Sequence, residues 1–265
     1  MKLSIALLAC NEAANIRRTL ESVRWADEIV LVDSGSIDGT IEIAEEFGAT
    51  IFHESWKGYG PQMNSAIDKC RSEWVFSLDA DEVLTPKLSA AIQGLLAGKP
   101  RFDAYWVPRR NQVFGRWLRH GGQYPDWKLR LFRQGTARLP EDSEPHATPK
   151  WHGPKGRLRS DLLHYQYPTV ALYLEHMNRY SSASVPLVLR KGRGFRSLPA
   201  FLLMGVLNPL LTFVKNYCFR LGFLDGREGL LFHLYHSGYI SSKYAKAWEA
   251  GRAHRHSGKQ PNQQD

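Results

Sequence analysis

Cysteine is scarce in this chain, and its placement excludes two kinds of stabilisation. The 265 residues include only three cysteines, Cys10, Cys70 and Cys218. An odd number at wide spacing, with no Cys-x-x-Cys pair, argues against a disulfide framework and against a structural zinc site. We therefore expect a protein of the reducing cytosol.

Several familiar sequence signals are also missing. No Gly-x-Gly-x-x-Gly follows the first apolar segment and no Walker-type lysine loop occurs, so dinucleotide oxidoreductases and P-loop enzymes fit poorly. The first residues lack the long apolar stretch of a signal peptide, which agrees with a cytoplasmic location. A composition of 43% hydrophobic and 12% aromatic residues indicates a folded chain with a sizeable core.

The net positive charge comes from the later part of the chain. Residues 1–100 hold 9 Lys and Arg against 15 Asp and Glu, whereas residues 101–265 hold 26 against 11. A basic rear part predicts an anionic partner, either nucleic acid or the anionic surface of a membrane, unless it is only a solvated basic face. Because no base-reading motif is present, we expect no nucleic-acid binding.

The first hundred residues alternate strand and helix patterns. Apolar segments at 3–9, 28–32, 49–52 and 74–78 predict strands, and the stretches between them carry apolar residues at helical spacing. This order predicts an α/β fold, a mostly parallel sheet with flanking helices.

Polar residues follow three of these predicted strands. Asn11 and Glu12 follow the first, Asp33 the second, and Asp79 and Asp81 the fourth. The carboxyl ends of parallel strands share one edge of the sheet, so these side chains should line one crevice. Two acids at i and i+2 suit Mg²⁺ or Mn²⁺, with a diphosphate supplying further oxygens.

The order of motifs resembles one enzyme family. Its segments are 10–16, 25–30, 32–40, 56–60 and 78–82, followed by 119–126, 128–133, 163–165 and 222–227. Together they resemble the family 2 glycosyltransferases, and within that family the bacterial lipopolysaccharide core β-glucosyltransferases. The resemblance covers about residues 1–250 and implies the GT-A fold, a Rossmann-like sheet, with a nucleotide-diphosphate sugar as donor.

The resemblance also implies roles for individual residues. The expected nucleotide-sugar contacts are Ala9, Asn11, Glu12, Asp33, Ser36, Lys57, Asp79 and Ala80. The expected metal ligands are Asp79, Asp81 and His164, although His164 is equally interpretable as a core histidine. The expected acceptor contacts are Arg119, His120, Tyr124 and Asp126. Arginines around this loop could bind a diphosphate or an anionic acceptor, or could be plain surface charge: Arg109, Arg110, Arg116, Arg119 and Arg130.

The catalytic base is expected in residues 139–147. Many relatives resemble this stretch with His-Glu where this chain has His146-Ala147. The candidates are therefore Asp142, Glu144 and His146, and Asp126 is a further one.

The C-terminal part changes character. Residues 197–214 carry no charge, but Pro199, Gly205 and Pro209 interrupt them, which predicts a helix pair lying among lipid headgroups. A buried hairpin or an oligomer contact is the alternative. A second amphipathic helix should follow Asp225. The expected organisation is a catalytic domain at 1–190, a membrane-associating helical region at 191–250 and a disordered tail at 251–265.

These patterns lead to one functional hypothesis with alternatives. We expect an inverting, metal-dependent transferase that moves a hexose, glucose first among them, from a UDP-sugar to a lipid-linked saccharide such as lipopolysaccharide core. It would work as a peripheral protein on the cytoplasmic face of the inner membrane. The alternatives are a polyprenyl-phosphate or protein glycosyltransferase and an inactive nucleotide-sugar-binding scaffold. The oligomeric state is unknown from sequence.

Overall fold

The chain divides into two compact units. The computed structural model describes residues 2–141, 148–190 and 197–257. The first unit comprises Met1–Asn111 and Pro125–Gln166, and the second comprises Gln112–Tyr124 and Tyr167–Asp265. This division differs from the predicted boundary at residue 190, since residues 112–124 and 167–190 group with the C-terminal helices.

The first unit is built on a mixed sheet. The strands, in chain order, are β1 Leu3–Ala9, β2 Glu28–Asp33, β3 Thr50–His53, β4 Trp74–Asp79, β5 Glu82–Leu84, β6 Ala104–Val113, β7 Arg116–Trp117, β8 Asp126–Arg133, β9 Gly156–Arg157 and β10 Leu162–Tyr167. Of these, β7 lies in the second unit. The strand order is β3-β2-β1-β4-β8-β6-β10-β5. The first four of these strands are parallel, and β8 then pairs antiparallel with both β4 and β6.

Helices cover both faces of the parallel strands. They are α1 Ala13–Val23, α2 Thr40–Glu46, α3 Tyr59–Lys69 and α4 Pro86–Ala97. Alternate residues of β1 point to opposite faces, so Ile5 and Leu7 pack in the core with α1, whereas Ala6 packs in the core with α3. The predicted α/β class, a mostly parallel sheet with flanking helices, is confirmed.

The second unit is helical. It begins with the last two residues of β6, which pair with β7. Its helices are α5 Val170–Ala183, α6 Val185–Arg190, α7 Leu198–Leu202, α8 Asn208–Phe213 and α9 Gly226–Ser257. One core of this unit gathers Val113, Leu118, Tyr167, Tyr173 and Phe232.

The uncharged segment forms one helix rather than the predicted helix pair. Leu198–Phe219 is continuous, because π-helical stretches at Leu203–Leu207 and Val214–Phe219 join α7 to α8. We call it the apolar helix. It is long and apolar enough to cross a membrane, with a mean hydropathy of 1.6 and only 11% of its most apolar window buried.

Helix α9 continues through Gly251 to Ser257, so the tail predicted at 251–265 begins inside this helix. Residues 258–265 lie outside the described part of the chain.

Candidate functional site

Strand register brings the predicted polar residues to one edge of the sheet. Ala9 of β1 lies opposite Asp33 of β2, and Leu8 lies opposite Asp79 of β4. The loops that follow these three strands therefore start at the same level, at the carboxyl ends where open α/β sheets bind ligands.

Side-chain to backbone hydrogen bonds join the first two loops. The Asn11 amide N donates to Ser36 Oγ over 2.9 Å, and the Ile37 amide N donates to Asn11 Oδ1 over 2.9 Å. The Glu12 amide N donates to Thr40 Oγ1 over 2.8 Å. Asn11 has φ +57°, a conformation that asparagine adopts more readily than most residues. These hydrogen bonds hold the loops after β1 and β2 together.

Asp33 anchors its own turn. Its carboxylate is buried and accepts hydrogen bonds from the Gly35 and Ser36 amides, with His53 Nδ1 3.4 Å away. Burial alone would raise the pKa of Asp33, but the hydrogen bonds from Ser36 and Gly35 outweigh it and lower that pKa. Its contact with a nucleotide stays a prediction.

The first acid of the Asp79-Ala80-Asp81 motif is tied to buried partners. Tyr59 Oη donates to Asp79 Oδ1 over 2.7 Å, and Arg130 Nη2 lies 2.7 Å from Asp79 Oδ2. Burial, and then the nearby Asp79 charge, raise the pKa of Tyr59 well above its ordinary value, so its hydroxyl remains a donor. Both oxygens of Asp79 therefore have fixed positions.

Arg130 belongs to a chain of buried charges. Its Nη2 also lies 2.6 Å from Glu82 Oε1, and Arg109 Nη1 lies 3.0 Å from the same oxygen. Arg109 in turn holds Asp126 Oδ2 at 2.7 Å. Arg109 and Arg130 are 3% and 1% exposed, so they are not the plain surface charge that was one of their two interpretations. They neutralise the carboxylates of Asp79, Glu82 and Asp126.

The second acid of the motif faces a histidine. His164 Nε2 lies 3.2 Å from Asp81 Oδ2, and His164 Nδ1 lies 2.8 Å from Asn111 Oδ1. The Tyr165 amide N donates to Asp81 O over 3.0 Å, which fixes Asp81 to β10. Because an amide oxygen only accepts, Nδ1 carries a proton, and Nε2 is the nitrogen on the side of Asp81. A neutral ring in this tautomer would present its Nε2 lone pair there. This is the form of imidazole that binds metals.

Neighbouring acids make the same place attractive to a cation. Burial is the main reason that the pKa of Glu12 is raised, and the Asp81, Asp38 and Asp79 charges raise it further. No three His, Cys, Asp or Glu side chains form a metal-binding group within residues 2–141, 148–190 and 197–257. A cation on Asp81 and His164 would thus need further oxygens from its ligand, as a diphosphate provides.

An alternative role for the acid pair, capping a helix, does not apply. Helix α4 begins with Thr85, whose side chain accepts from the Leu88 amide N over 3.2 Å, and Pro86 occupies its first turn. Asp79 and Asp81 are therefore not used as caps of α4.

Other expected nucleotide contacts have defined positions. Ala80 is buried, and its carbonyl accepts from Thr19 Oγ1 over 2.7 Å. Lys57 Nζ lies 2.9 Å from Glu54 Oε2 on the rim of the first unit. The contacts of both residues with a nucleotide sugar stay predictions.

Of the expected acceptor contacts, Arg119, His120 and Tyr124 lie in the second unit and Asp126 in the first. Burial would raise the pKa of Asp126, but Arg109 and Lys128 lower it, so this carboxylate is a weaker proton acceptor than usual. The expected bases Asp142, Glu144 and His146 lie outside the described residues.

Sequence reasoning did not assign the supports of the site their role. Tyr59, Glu82 and Arg130 fall in the segments 56–60, 78–82 and 128–133 that carry the resemblance, but these segments and Asn111 lie on separate elements, and no motif pairs them with the expected residues. Glu82 offered one signal as a third acid directly after Asp81, and the structure shows it completely buried, where a carboxylate requires a cation.

Comparison with known proteins agrees with this geometry. The model of the family "Glycosyl transferase family 2" matches residues 4–157. The lipopolysaccharide core biosynthesis glycosyltransferase LpsC of Rhizobium meliloti (strain 1021) is 26% identical over 258 residues, covering 92% of this chain and 94% of LpsC.

A second relative is similar in sequence, and one solved structure is similar in fold. An uncharacterised glycosyltransferase of Rickettsia bellii (strain RML369-C) is 38% identical over 109 residues, 40% of this chain and 37% of that protein. The mannosyltransferase PcManGT of Pyrobaculum calidifontis, solved with GDP-Man and Mn²⁺, has a similar fold, with a TM-score of 0.53 at 16% identity over 94% of this chain and 87% of that one.

Proposed function

Because the chain belongs to glycosyl transferase family 2 and is a glycosyltransferase, we propose that it moves a hexose from a UDP-sugar to a lipid-linked saccharide such as lipopolysaccharide core, with inversion. The observation that carries the donor site is the pairing of Asp81 with His164 beside Asp79. The similarity to LpsC along nearly the whole chain supports the acceptor class.

The reaction balances without an oxidant or a further reactant. An acceptor hydroxyl oxygen bonds to the anomeric carbon, the bond from that carbon to the diphosphate breaks, and the nucleoside diphosphate leaves. The hydroxyl proton passes to a base, for which Asp142, Glu144 and His146 are our candidates.

The residues beneath the diphosphate position would work as a rigid support. Asp81 and His164 would hold Mg²⁺ or Mn²⁺, which offsets the charge that the departing diphosphate gains. Asp79 is fixed by Tyr59 and Arg130. Such prior fixing means that little reorganisation is needed when charge develops.

We also propose that the second unit binds the cytoplasmic surface of the inner membrane. The apolar helix exposes Leu202, Leu203, Val206, Leu210 and Leu211, each by about half. No acid occurs between Glu175 and Asp225, whereas seven Lys and Arg do, a charge balance complementary to anionic lipid headgroups.

Contacts along the apolar helix favour lying on the membrane over crossing it. Ser237 Oγ donates to Pro209 O over 2.8 Å, and Ser241 Oγ donates to Gly205 O over 2.7 Å. The helix is thus packed along α9, a helix rich in charged and polar residues that does not belong in the hydrocarbon layer.

Isothermal titration of the purified protein with UDP, with and without Mn²⁺, tests the donor site. We expect Mn²⁺-dependent binding in the wild type and its loss in Asp81→Asn. Asp68→Asn is the control, because Asp68 is an exposed partner of Arg138. GDP is titrated in parallel. A folded wild type that binds neither nucleotide refutes the proposal, and binding with neither transfer nor donor hydrolysis would favour an inactive scaffold.

A further inference from the structure

The loop at residues 119–122 is held by one buried carboxylate. Asp225, 2% exposed, accepts the Arg119 amide over 3.0 Å and the His120 amide over 2.8 Å. The same carboxylate lies 2.9 Å from His120 Nδ1. Three groups of the loop therefore converge on Asp225, about a hundred residues further along the chain.

A backbone hydrogen bond and close packing at the two glycines also hold this loop. The Gly121 amide donates to Arg220 O over 2.8 Å. A Cβ on Gly121 would lie 2.0 Å from His233 Nε2, and one on Gly122 would lie 2.6 Å from Arg220 Nη1. Both glycines have positive φ, +65° and +80°. Gly121 is thus favoured by close packing and by its backbone conformation together, and Gly122 by its backbone conformation.

The bond to Asp225 decides which nitrogen of His120 is available. A carboxylate accepts, so Nδ1 carries a proton, and in the neutral ring Nε2 is then an acceptor. The His120 side chain is about one-third exposed, whereas Asp225 is buried. The pair therefore presents an oriented hydrogen-bond acceptor at the surface of the second unit, which a clamp for backbone amides alone would not need.

The pair is also attached to the proposed membrane-binding surface. Asp225 ends the short helix Gly222–Asp225, which is separated from the end of the apolar helix by two residues. Leu221, Phe223 and Leu224 of this turn are each about half exposed. Arg220, which binds the Gly121 amide, is the first residue after the apolar helix. If the second unit binds the membrane as proposed, His120 is thus linked through Asp225 and Arg220 to the surface that would face the headgroups.

We propose that Asp225 is a positioning residue that holds His120 with Nε2 ready to accept a hydrogen bond from a hydroxyl of the lipid-linked acceptor saccharide. The inference rests on the proposed function. It adds Asp225 to the acceptor site and gives His120 a definite chemical role.

The test compares Asp225→Asn and His120→Ala with Glu228→Gln, a neighbouring acid near Arg116. Three quantities are measured: Mn²⁺-dependent UDP binding, UDP-sugar hydrolysis without acceptor, and transfer to inner-core lipopolysaccharide in phosphatidylglycerol vesicles. We expect Asp225→Asn and His120→Ala to raise the acceptor KM at least tenfold, with nucleotide binding and hydrolysis within twofold of the wild type. Equal loss of hydrolysis and transfer, or no change in acceptor KM, overturns the inference.

A second readout does not depend on knowing the acceptor. The ring ¹⁵N shifts of His120 should report protonated Nδ1 in the wild type and a mixture of tautomers in Asp225→Asn. Unchanged shifts in the variant overturn the inference. A wild type that binds UDP but transfers to no acceptor counts against the proposed acceptor, and the ring shifts then decide whether Asp225 orients His120.

Discussion

Arg130 Nη2 lies 2.7 Å from Asp79 Oδ2, although the two residues are 51 positions apart on antiparallel neighbours β8 and β4. This pair makes the two acids of the motif unequal. Asp79 is neutralised by a buried guanidinium, while Asp81 faces His164. The metal-binding role that we propose would therefore fall mainly to Asp81, with Asp79 beside it in a fixed orientation.

Replacing Arg130 should destabilise the protein strongly. Arg130→Met leaves the buried Glu82 and the partly buried Asp79 without the cation they share, which costs about 3–5 kcal/mol in the free energy of unfolding. Arg138→Met is the matched control, because its partner Asp68 is half exposed and such pairs contribute about 0–1 kcal/mol. Urea unfolding of both variants measures the difference; equal losses would contradict it.

The stability contributed by Glu54 should depend on pH. Hydrogen bonds from Lys69 and Lys57, with a smaller one from Ser65, lower the pKa of Glu54 from 4.5 to about 2. A lowered pKa means that the stabilisation is complete above pH 4.5 and disappears as the pH falls towards about 2.

Glu54→Gln should therefore be less stable than the wild type by roughly 1 kcal/mol at pH 7, a value limited by solvent screening of this partly exposed group. The difference should vanish near pH 2. Urea midpoints at several pH values measure it, with Glu46→Gln, an exposed partner of Arg17, as the comparison. A difference that stays constant down to pH 2 would show that hydrogen bonding rather than charge is responsible.

Gly121 and Gly115 provide a test of packing against backbone conformation. Both have positive φ, so alanine at either position costs about 1 kcal/mol or slightly more. A Cβ at Gly115 meets nothing within 4 Å, whereas at Gly121 it would overlap His233. We expect Gly121→Ala to cost about 1–3 kcal/mol more than Gly115→Ala in thermal unfolding.

A second substitution checks the cause. If the overlap with His233 is responsible, His233→Ala should lower the stability of the Gly121→Ala variant much less than it lowers the stability of the wild type. Additive effects of the two substitutions would mean that the overlap is relieved in some other way.

Binding to vesicles should depend on the apolar helix. Leu203→Gln with Leu210→Gln removes two half-exposed side chains and should weaken binding to phosphatidylglycerol vesicles at least tenfold. Lys215→Gln should reduce mainly the salt-sensitive part of the affinity, by about 1 kcal/mol at low salt. Ile37→Gln, 93% exposed in the first unit, is the control. Equal effects of Ile37→Gln and the leucine pair in cosedimentation would refute this surface.

The sequence alone determined the sheet, the motif positions and the enzyme family. Apolar segments of strand length separated by helical patterns admit few arrangements, and β1, β2 and β4 begin where the patterns predict. Asp33, Asp79 and Asp81 could be named as candidate site residues, because parallel strands place ligand sites at their carboxyl edge.

Only the tertiary structure decided what each charged residue does. Arg109 and Arg130 carry the same charge as surface arginines, and nothing local to them reveals that β6 and β8 place them against Glu82. The pairing of Asp225 with His120 likewise joins residues 105 positions apart. Local propensity and periodicity report burial and secondary structure, whereas the partner of a buried charge is set by long-range strand pairing and helix packing, which a linear pattern does not contain.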